Sequence, residues 1–503
     1  MQNGQLLAAI DLGSNSFRLE IGVLEHAHIR RVAYLKETVR QGNGLDPDRQ
    51  LSKKAMQRGW DCLARFAERL AEFDATQVRA VATQTLREAK NRDEFLGPAQ
   101  DILGFPIEVI SGREEARLIY LGVANLLPQS DEKRLVVDIG GRSTEMILGS
   151  GFKSQTFESY RVGSVNWSMK YFPEGQFTPL AFERAQVAAK AVLDEAQGLY
   201  PRQAWEVAYG SSGTIGSVSD VMSVAGWPQG QITREGLDWL KGKLIKAGNS
   251  ASFELKGMKD DRRPVIGGGL AVLCALFDFL EIDKMHAAQG ALRHGVLYDL
   301  IEREESTDLR GSMVDALAQR FSVDAVHADR VQRTALQLFA ALYDSSNSKL
   351  GLSQTRLVKK LSWAAKLLEI GRQISHSDFH KHGAYILDNS DLLGFSMSEL
   401  HRLSQLILGH RGKLKKLDND FRDATFVQQL MALRLAAILC HARRDPDLKG
   451  FLIKRDNNNK NGFVLQCKKA WMQQWPQSAH LLREECIAWQ KSTWNLSLEE
   501  SGS

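Results

Sequence analysis

Two stretches of the chain look like copies of one another. The first runs from Ala8 to Ile21 (AAIDLGSNSFRLEI) and the second from Leu135 to Leu148 (LVVDIGGRSTEMIL). Each is an apolar run, then an aspartate, an apolar residue, a Gly/Ser turn and a second apolar run. Each reads as a β-hairpin with a carboxylate at the end of its first strand and small residues at its tip. Such a turn lets successive backbone N–H groups converge on one anion. A carboxylate beside it is where a hydrated divalent cation bridges to phosphate. One loop of this kind is a weak signal. Two related loops, a domain's length apart, point to two lobes closing on a single phosphate site.

The chain has 503 residues, too many for one core. Hydrophobic residues at 43% and charged residues at 25% are ordinary for a globular protein. A net charge of +5 permits an anionic partner without demanding one. The five cysteines, Cys62, Cys274, Cys440, Cys467 and Cys486, form no Cys-x-x-Cys pair. Buried reduced thiols are therefore expected, not a disulfide framework or a zinc site. No apolar run has the length of a membrane span and no leader pattern opens the chain, so the cytoplasm is the expected compartment, with peripheral membrane association left open.

Strand and helix patterns alternate through the first part of the chain. Strands are expected at His28 to Lys36, Val78 to Ala82 and Ile107 to Ile110, with helices opened by Ser52 and running from Arg113 to Val123. After the second hairpin come a strand at Gln155 to Val162, a helix from Leu180 to Gln197, and a strand at Val207 to Tyr209 running into Gly210-Ser211-Ser212-Gly213-Thr214. Gly267 to Gly269 opens an apolar helix through Phe279. The repeated order implies a duplicated α/β fold with a cleft. Beyond about residue 300 long helices are expected at Met313 to Tyr343, Gln354 to Gly371, Ser398 to His410 and Thr425 to Ala442. A hairpin around the Asn457 to Gly462 turn and a helix at Ala479 to Trp489 close the chain.

Taken singly, Asp11 and Asp138 are ordinary turn aspartates. In matched settings they favour metal and phosphate binding, with Ser14, Asn15, Ser16, Ser143 and Thr144 as donors to phosphate oxygens. Glu145 is placed to reach a metal-bound water, or else faces solvent. Glu114 and Glu115 suit the first turn of a helix for dipole reasons alone, and also suit the orienting and deprotonation of a water. Arg87 and Arg113 are candidate phosphate clamps. His376, His380, His382, His401 and His410 gather in the helical region, but the helix end that would carry a metal-binding His-Asp pair reads Leu368-Glu369. The basic groups around Arg411 to Lys416, Arg443-Arg444, Lys454-Arg455 and Lys468-Lys469 suit surface charge or a polyanion track. The lack of interleaved aromatics in this region mildly disfavours single-stranded nucleic acid, and no nucleic acid partner is expected.

At these residues the sequence resembles the exopolyphosphatase / guanosine pentaphosphate phosphohydrolase family of bacterial enzymes. The resemblance spans nearly the whole chain. It rests on AIDLGSNSF at 9–17, ATQTLR at 82–87, VISGREEARLI at 109–119, VDIGG at 137–141, GSSGT at 210–214 and GALRHGVLY at 290–298. It implies a duplicated actin-like fold of the sugar-kinase/heat-shock type, ribonuclease H-like in each lobe, followed by an α-helical HD-like domain and a small α+β C-terminal domain. The corresponding boundaries are 1–126, 127–303, 304–443 and 444–503. It also implies a Mg²⁺-dependent phosphohydrolase, usually a homodimer. Glu115 maps to the catalytic base, Gly13 to Ser16 and Gly140 to Thr144 to the phosphate loops, and Asp138 and Glu145 to metal ligands. Gly213 and Arg87 complete the expected phosphate contacts, with Asp11 assisting the metal.

The sequence departs from the family pattern twice. Arg142 stands where the second loop has a third small residue, and there it crowds the phosphate, adds a clamp or points outward. Leu368 stands where the helical domain's metal histidine would be. The expected activity is release of orthophosphate from the end of inorganic polyphosphate. The alternative within the class is guanosine pentaphosphate, whose hydrolysis belongs to the stringent response. A phosphate-chain sensor without turnover and a sugar kinase are the readings from outside it.

Overall fold

The computed structural model describes residues 3–25, 28–128, 130–252, 254–302, 309–343, 351–417, 420–456 and 459–501. It divides into two compact units, Met1–Thr307 and Asp308–Ser503. The expected boundary at 303/304 lies outside the described residues.

The first unit opens with β1 (Leu6–Leu12), β2 (Phe17–Glu25) and β3 (His28–Glu37), an antiparallel meander. Helix α1 (Lys53–Leu70) follows, with the Ser52 hydroxyl accepting from Ala55 N–H as its cap and Met56, Leu63, Phe66 and Leu70 on its buried face. Then come β4 (Val78–Ala82), the five-residue α2 (Gln84–Glu88), α3 (Arg92–Leu103), β5 (Ile107–Val109) and α4 (Gly112–Ala124). The sheet order is β3–β2–β1–β4–β5, with β4 parallel to both β1 and β5. Strand β1 is buried along nearly its whole length, which is why it reads as a continuous apolar run.

The second half repeats this order. Strands β6 (Lys133–Ile139), β7 (Thr144–Ser150) and β8 (Lys153–Tyr160) form the meander. They are followed by α5 (Ser164–Tyr171), α6 (Pro179–Leu193), β9 (Val207–Ser211), α7 (Ser212–Val224), β10 (Gln231–Thr233), α8 (Arg234–Ala247), α9 (Ile266–Phe279), β11 (Lys284–Ala287) and α10 (Leu292–Glu302). The sheet order is β10–β11–β9–β6–β7–β8, so five strands match the first sheet and β10 is an added antiparallel edge. This is a duplicated, two-lobed actin-like fold. Register is equivalent in the two hairpins: Asp11 pairs with Arg18, and Asp138 with Glu145.

Helix α10 returns from the second sheet to pack on α4. A Cβ on Gly295 would collide with the backbone of Leu118, so the two helix backbones meet directly. A buried charge cluster locks the same junction. Arg79 Nη1 donates to Asp299 Oδ2 at 2.6 Å, Arg117 Nε donates to Glu114 Oε2 at 2.8 Å, and Arg117 also contacts Asp299.

The second unit is helical, with α11 (Leu309–Arg320), α12 (Ala325–Leu342), α13 (Gly351–Lys366), α14 (Phe379–Asp388), α15 (Met397–Gly409) and α16 (Ala424–Leu439). The single helix expected over Met313 to Tyr343 is two helices. Ser322 breaks it with a φ of 49°, and Asp324 caps the second by accepting from His327 N–H. Strands β12 (Phe451–Arg455) and β13 (Gly462–Lys468) form the expected hairpin; Asn457 at its tip lies outside the described residues. Short α17 (Lys469–Gln474), α18 (Pro476–Trp489) and β14 (Asn495–Ser501) complete the unit, β14 pairing parallel to β13. Leu368, Leu430, Phe463 and Trp489 belong to one continuous core, so the small C-terminal sheet packs on the helices. Leu368 is a core residue, and the neighbouring Glu369 is held by Arg372 and Arg443 at 2.8 and 3.0 Å. All five cysteines are free and buried. No helix among the described residues is long and apolar enough to cross a membrane.

Candidate active site

A cavity of about 350 Å³ opens in the first unit, and both hairpin tips line it. Asp11, Gly13 and Ser14 to Ser16 come from the first tip. Asp138, Gly140, Gly141 and Ser143 come from the second, and Gly213 from the start of α7. The two tips touch: a Cβ on Gly141 would lie 2.9 Å from the Ser14 Cβ. In the first loop the buried Asn15 Nδ2 and Ser16 Oγ have no hydrogen-bond partner among the described residues, as expected of donors held for an anion. Ser212 adopts a φ of 93°, a left-handed strain that serine accepts at a cost of ~1–3 kcal/mol and that gathers at ligand sites.

The two glutamates of the Ser111-Gly112-Arg113 turn have different surroundings. Ser111 caps α4 by accepting from Glu114 N–H, which fixes the helix phase. Glu114 turns inward to Arg117 and is fully buried. Glu115 turns to the cavity. Burial pushes its carboxyl up to about 7, against the pull of Arg87. Asp138 is likewise pushed up to about 6 by burial, with Ser211 and Arg18 pulling the other way. Glu145 is buried and does not line the cavity; burial and the neighbouring Glu115 and Asp138 raise it well above the usual carboxylate range. Its Oε1 accepts from Ser159 at 2.7 Å, while its buried Oε2 meets the geometry of a hydrogen bond with no group among the described residues.

Three buried carboxyls with raised affinity for a proton, one carrying an oxygen unpartnered among the described residues, suit a divalent cation. Among the described residues no three histidine, cysteine or acidic side chains gather closely enough to hold a metal by themselves. A cation here would draw the rest of its shell from substrate oxygens and water, the habit of magnesium.

Other expected site residues are engaged by protein partners. Asp11 Oδ2 accepts from Arg18 Nη1 at 2.8 Å, so it orients a cavity-lining arginine. The Thr144 hydroxyl donates to the Val162 carbonyl at 2.6 Å and faces the protein. Arg87 lies behind Glu115, donating to its Oε2 at 3.1 Å and to the Ile110 carbonyl at 2.7 Å. Arg113 pairs with Glu158 at 3.4 Å. Arg142 points away from the cavity and pairs with Glu88 at 3.0 Å.

The cations that line the cavity are Arg18, Lys36, Lys259, Arg262 and Arg293, none of them among the residues expected at the site. Arg18 carried a signal, since strand alternation puts it on the same face as Ser16. Arg262 and Arg293 come from distant segments; the Arg262 guanidinium lies over Gly213, and Arg293 is held by the buried Glu20.

Buried carboxylates facing two small-residue loops, within a rim of cations, are the equipment of a phosphate-transferring or phosphate-hydrolysing protein on an actin-like fold. Comparison with known proteins narrows this. The chain matches the Ppx/GppA phosphatase family over residues 23–304 and the Ppx/GppA phosphatase domain III over residues 309–486. It belongs to the Ppx/GppA phosphatase family and is a phosphoanhydride hydrolase. It is 38% identical over 492 residues to a guanosine-5'-triphosphate,3'-diphosphate pyrophosphatase of Pseudoalteromonas translucida (strain TAC 125), covering 97% of each chain. It is 36% identical over 505 residues to the protein of that name from Aeromonas hydrophila subsp. hydrophila, covering 100% of each. Among solved structures, the Aquifex aeolicus Ppx/GppA family member is similar with a TM-score of 0.51 at 25% identity, covering 60% of this chain and 99% of that one. An exopolyphosphatase from Cytophaga hutchinsonii shares the fold with a TM-score of 0.54 at 22% identity, covering 59% of this chain and 98% of that one.

Proposed function

We propose that the chain hydrolyses the terminal 5'-phosphoanhydride of guanosine 5'-triphosphate 3'-diphosphate, releasing orthophosphate and the tetraphosphate. The observation that carries this choice of substrate is full-length similarity to relatives that bear that name. It displaces inorganic polyphosphate, the substrate expected from the sequence, to second place. Both substrates end in the same anhydride, which is why the motifs alone do not separate them.

The backbone loops Gly13 to Ser16 and Gly140 to Ser143 hold the terminal phosphoryl group. Arg18 and Arg262 face the remaining phosphates, where a guanidinium fork matches phosphoryl oxygens. Glu115 accepts a proton from the attacking water as the oxygen bonds to phosphorus and the bridging P–O bond breaks. The electron pair leaves on the tetraphosphate oxygen. Asp138, with the neighbouring Glu145, would hold Mg²⁺, which when bound neutralises charge on the phosphate chain. Catalysis is then mainly positioning and electrostatics.

The test is orthophosphate release with Mg²⁺ from the guanosine pentaphosphate beside long-chain polyphosphate at equal end-group concentration. The reading expects the higher kcat/KM on the nucleotide. A higher value on polyphosphate would overturn it in favour of an exopolyphosphatase.

A further inference from the structure

Helix α2 is too short to be stable alone and has no side-chain cap at its start. It is fixed by its tertiary partners, and these form one continuous path. Arg142 Nε, on the second loop, donates to Glu88 Oε2 at 3.1 Å. Gln84 Nε2 donates to Glu88 Oε1 at 2.7 Å. Arg87 Nε donates to Gln84 Oε1 at 2.9 Å, and Arg87 Nη1 donates to Glu115 Oε2 at 3.1 Å. Gln84 and Glu88 are four residues apart and so share a helix face. The amide of Gln84 has one orientation: its oxygen must face Arg87 and its nitrogen Glu88. Donor and acceptor alternate without a break from the second loop to Glu115.

The path reaches the first loop as well. Arg142 Nη1 donates to the Gly42 carbonyl at 3.2 Å, and Gly42 N–H donates to the Ser14 carbonyl at 2.7 Å. Gln84 is 4% exposed, and the Arg142 and Glu88 side chains are 18% and 14% exposed, so the links are shielded from water. Arg142 is the residue that departs from the small-residue pattern of the second loop. Its side chain leaves the phosphate face free and supplies the first link.

We propose that Gln84, Glu88 and Arg142 are positioning residues, acting through Arg87 to hold Glu115 in register with the two phosphate loops. This rests on Glu115 being the base. Ordering the loops around a terminal phosphoryl group thereby orders the carboxylate that activates water.

The experiment measures kcat and KM for Glu88→Ala, Arg142→Gly, their double variant, and Glu88→Ala combined with Glu115→Gln. Each single variant should lower kcat by ~10-fold, the scale of a small misplacement of a reacting group, with KM within about twofold of wild type. The double variant should be no slower than the slower single, because both cut one path. Glu88→Ala should add no loss to the residual turnover of Glu115→Gln. Should Glu88→Ala fail to fold, Glu88→Gln carries the same cycle, judged by its melting temperature. Wild-type kcat in the single variants, multiplying losses in the double, or an undiminished Glu88 effect on the Glu115→Gln background would overturn the path while the base assignment stands. Wild-type turnover in Glu115→Gln alone would overturn both.

Discussion

Arg87 sits behind Glu115, its Nη1 3.1 Å from the carboxylate Oε2, so the arginine expected on the phosphate instead pairs with the proposed base. Burial raises the Glu115 carboxyl to about 7 and Arg87 restrains that rise. As the proposed base, Glu115 works deprotonated, so kcat/KM should fall as pH drops through about 7. Arg87→Ala withdraws the restraint. The acid limb should move to higher pH, with activity at neutral pH down by ~10–100-fold. A pH–rate profile of wild type beside Arg87→Ala and Arg87→Lys checks it.

Asp138 and Glu145 face one another across the second hairpin, with one Glu145 oxygen unpartnered among the described residues. Chelating divalent cations should stop orthophosphate release, and Mg²⁺ should restore it. Asp138→Asn should raise the Mg²⁺ concentration for half-maximal activity by ~10-fold or more, with thermal stability in chelator kept or increased. A Mg²⁺ titration and a melting curve in chelator read the two effects separately.

Glu20 ties β2 to the start of α10. Burial pushes its carboxyl up, but His294 and Arg293 outweigh that and hold it down to about 2. Its contribution is therefore fully present above about 4.5 and is lost as pH falls through about 2. Glu20→Gln leaves Arg293 without its buried partner and should cost ~3–5 kcal/mol near neutral pH. The difference from wild type should shrink in acid, which denaturant melts at several pH values would show.

Gly295 sits where α10 crosses α4, the helix that carries Glu115. Gly295→Ala places a methyl group against the Leu118 backbone. At least ~1–3 kcal/mol of stability should be lost. Since the crossing positions α4, kcat should fall with it, while Ala291→Gly, beside the same crossing, should leave stability within ~1 kcal/mol.

Much of the fold was legible because its central strands are apolar runs that stop at small residues. Val78–Ala82 and the two hairpins are found where the pattern places them. Strands β10 and β11, three and four residues long, carry too few apolar positions to stand out. The break between α11 and α12 was hidden because helical spacing of apolar residues continues across Ser322. At the site, the two loops and Glu115 declared themselves by motif, and the structure brings them to one cavity. Arg262 and Arg293 gave no sign, since nothing local marks an arginine that reaches a cavity from a remote segment. Nor did Glu88, whose meaning lies in Arg142, 54 residues away.

The most direct test of the account is steady-state turnover of Glu115→Gln on the guanosine pentaphosphate, with substrate binding measured alongside. The amide keeps the shape of the side chain and removes the base. Binding should stay close to wild type and turnover should fall by ~100-fold or more, the usual scale for loss of a general base. Turnover like that of the wild type would contradict it.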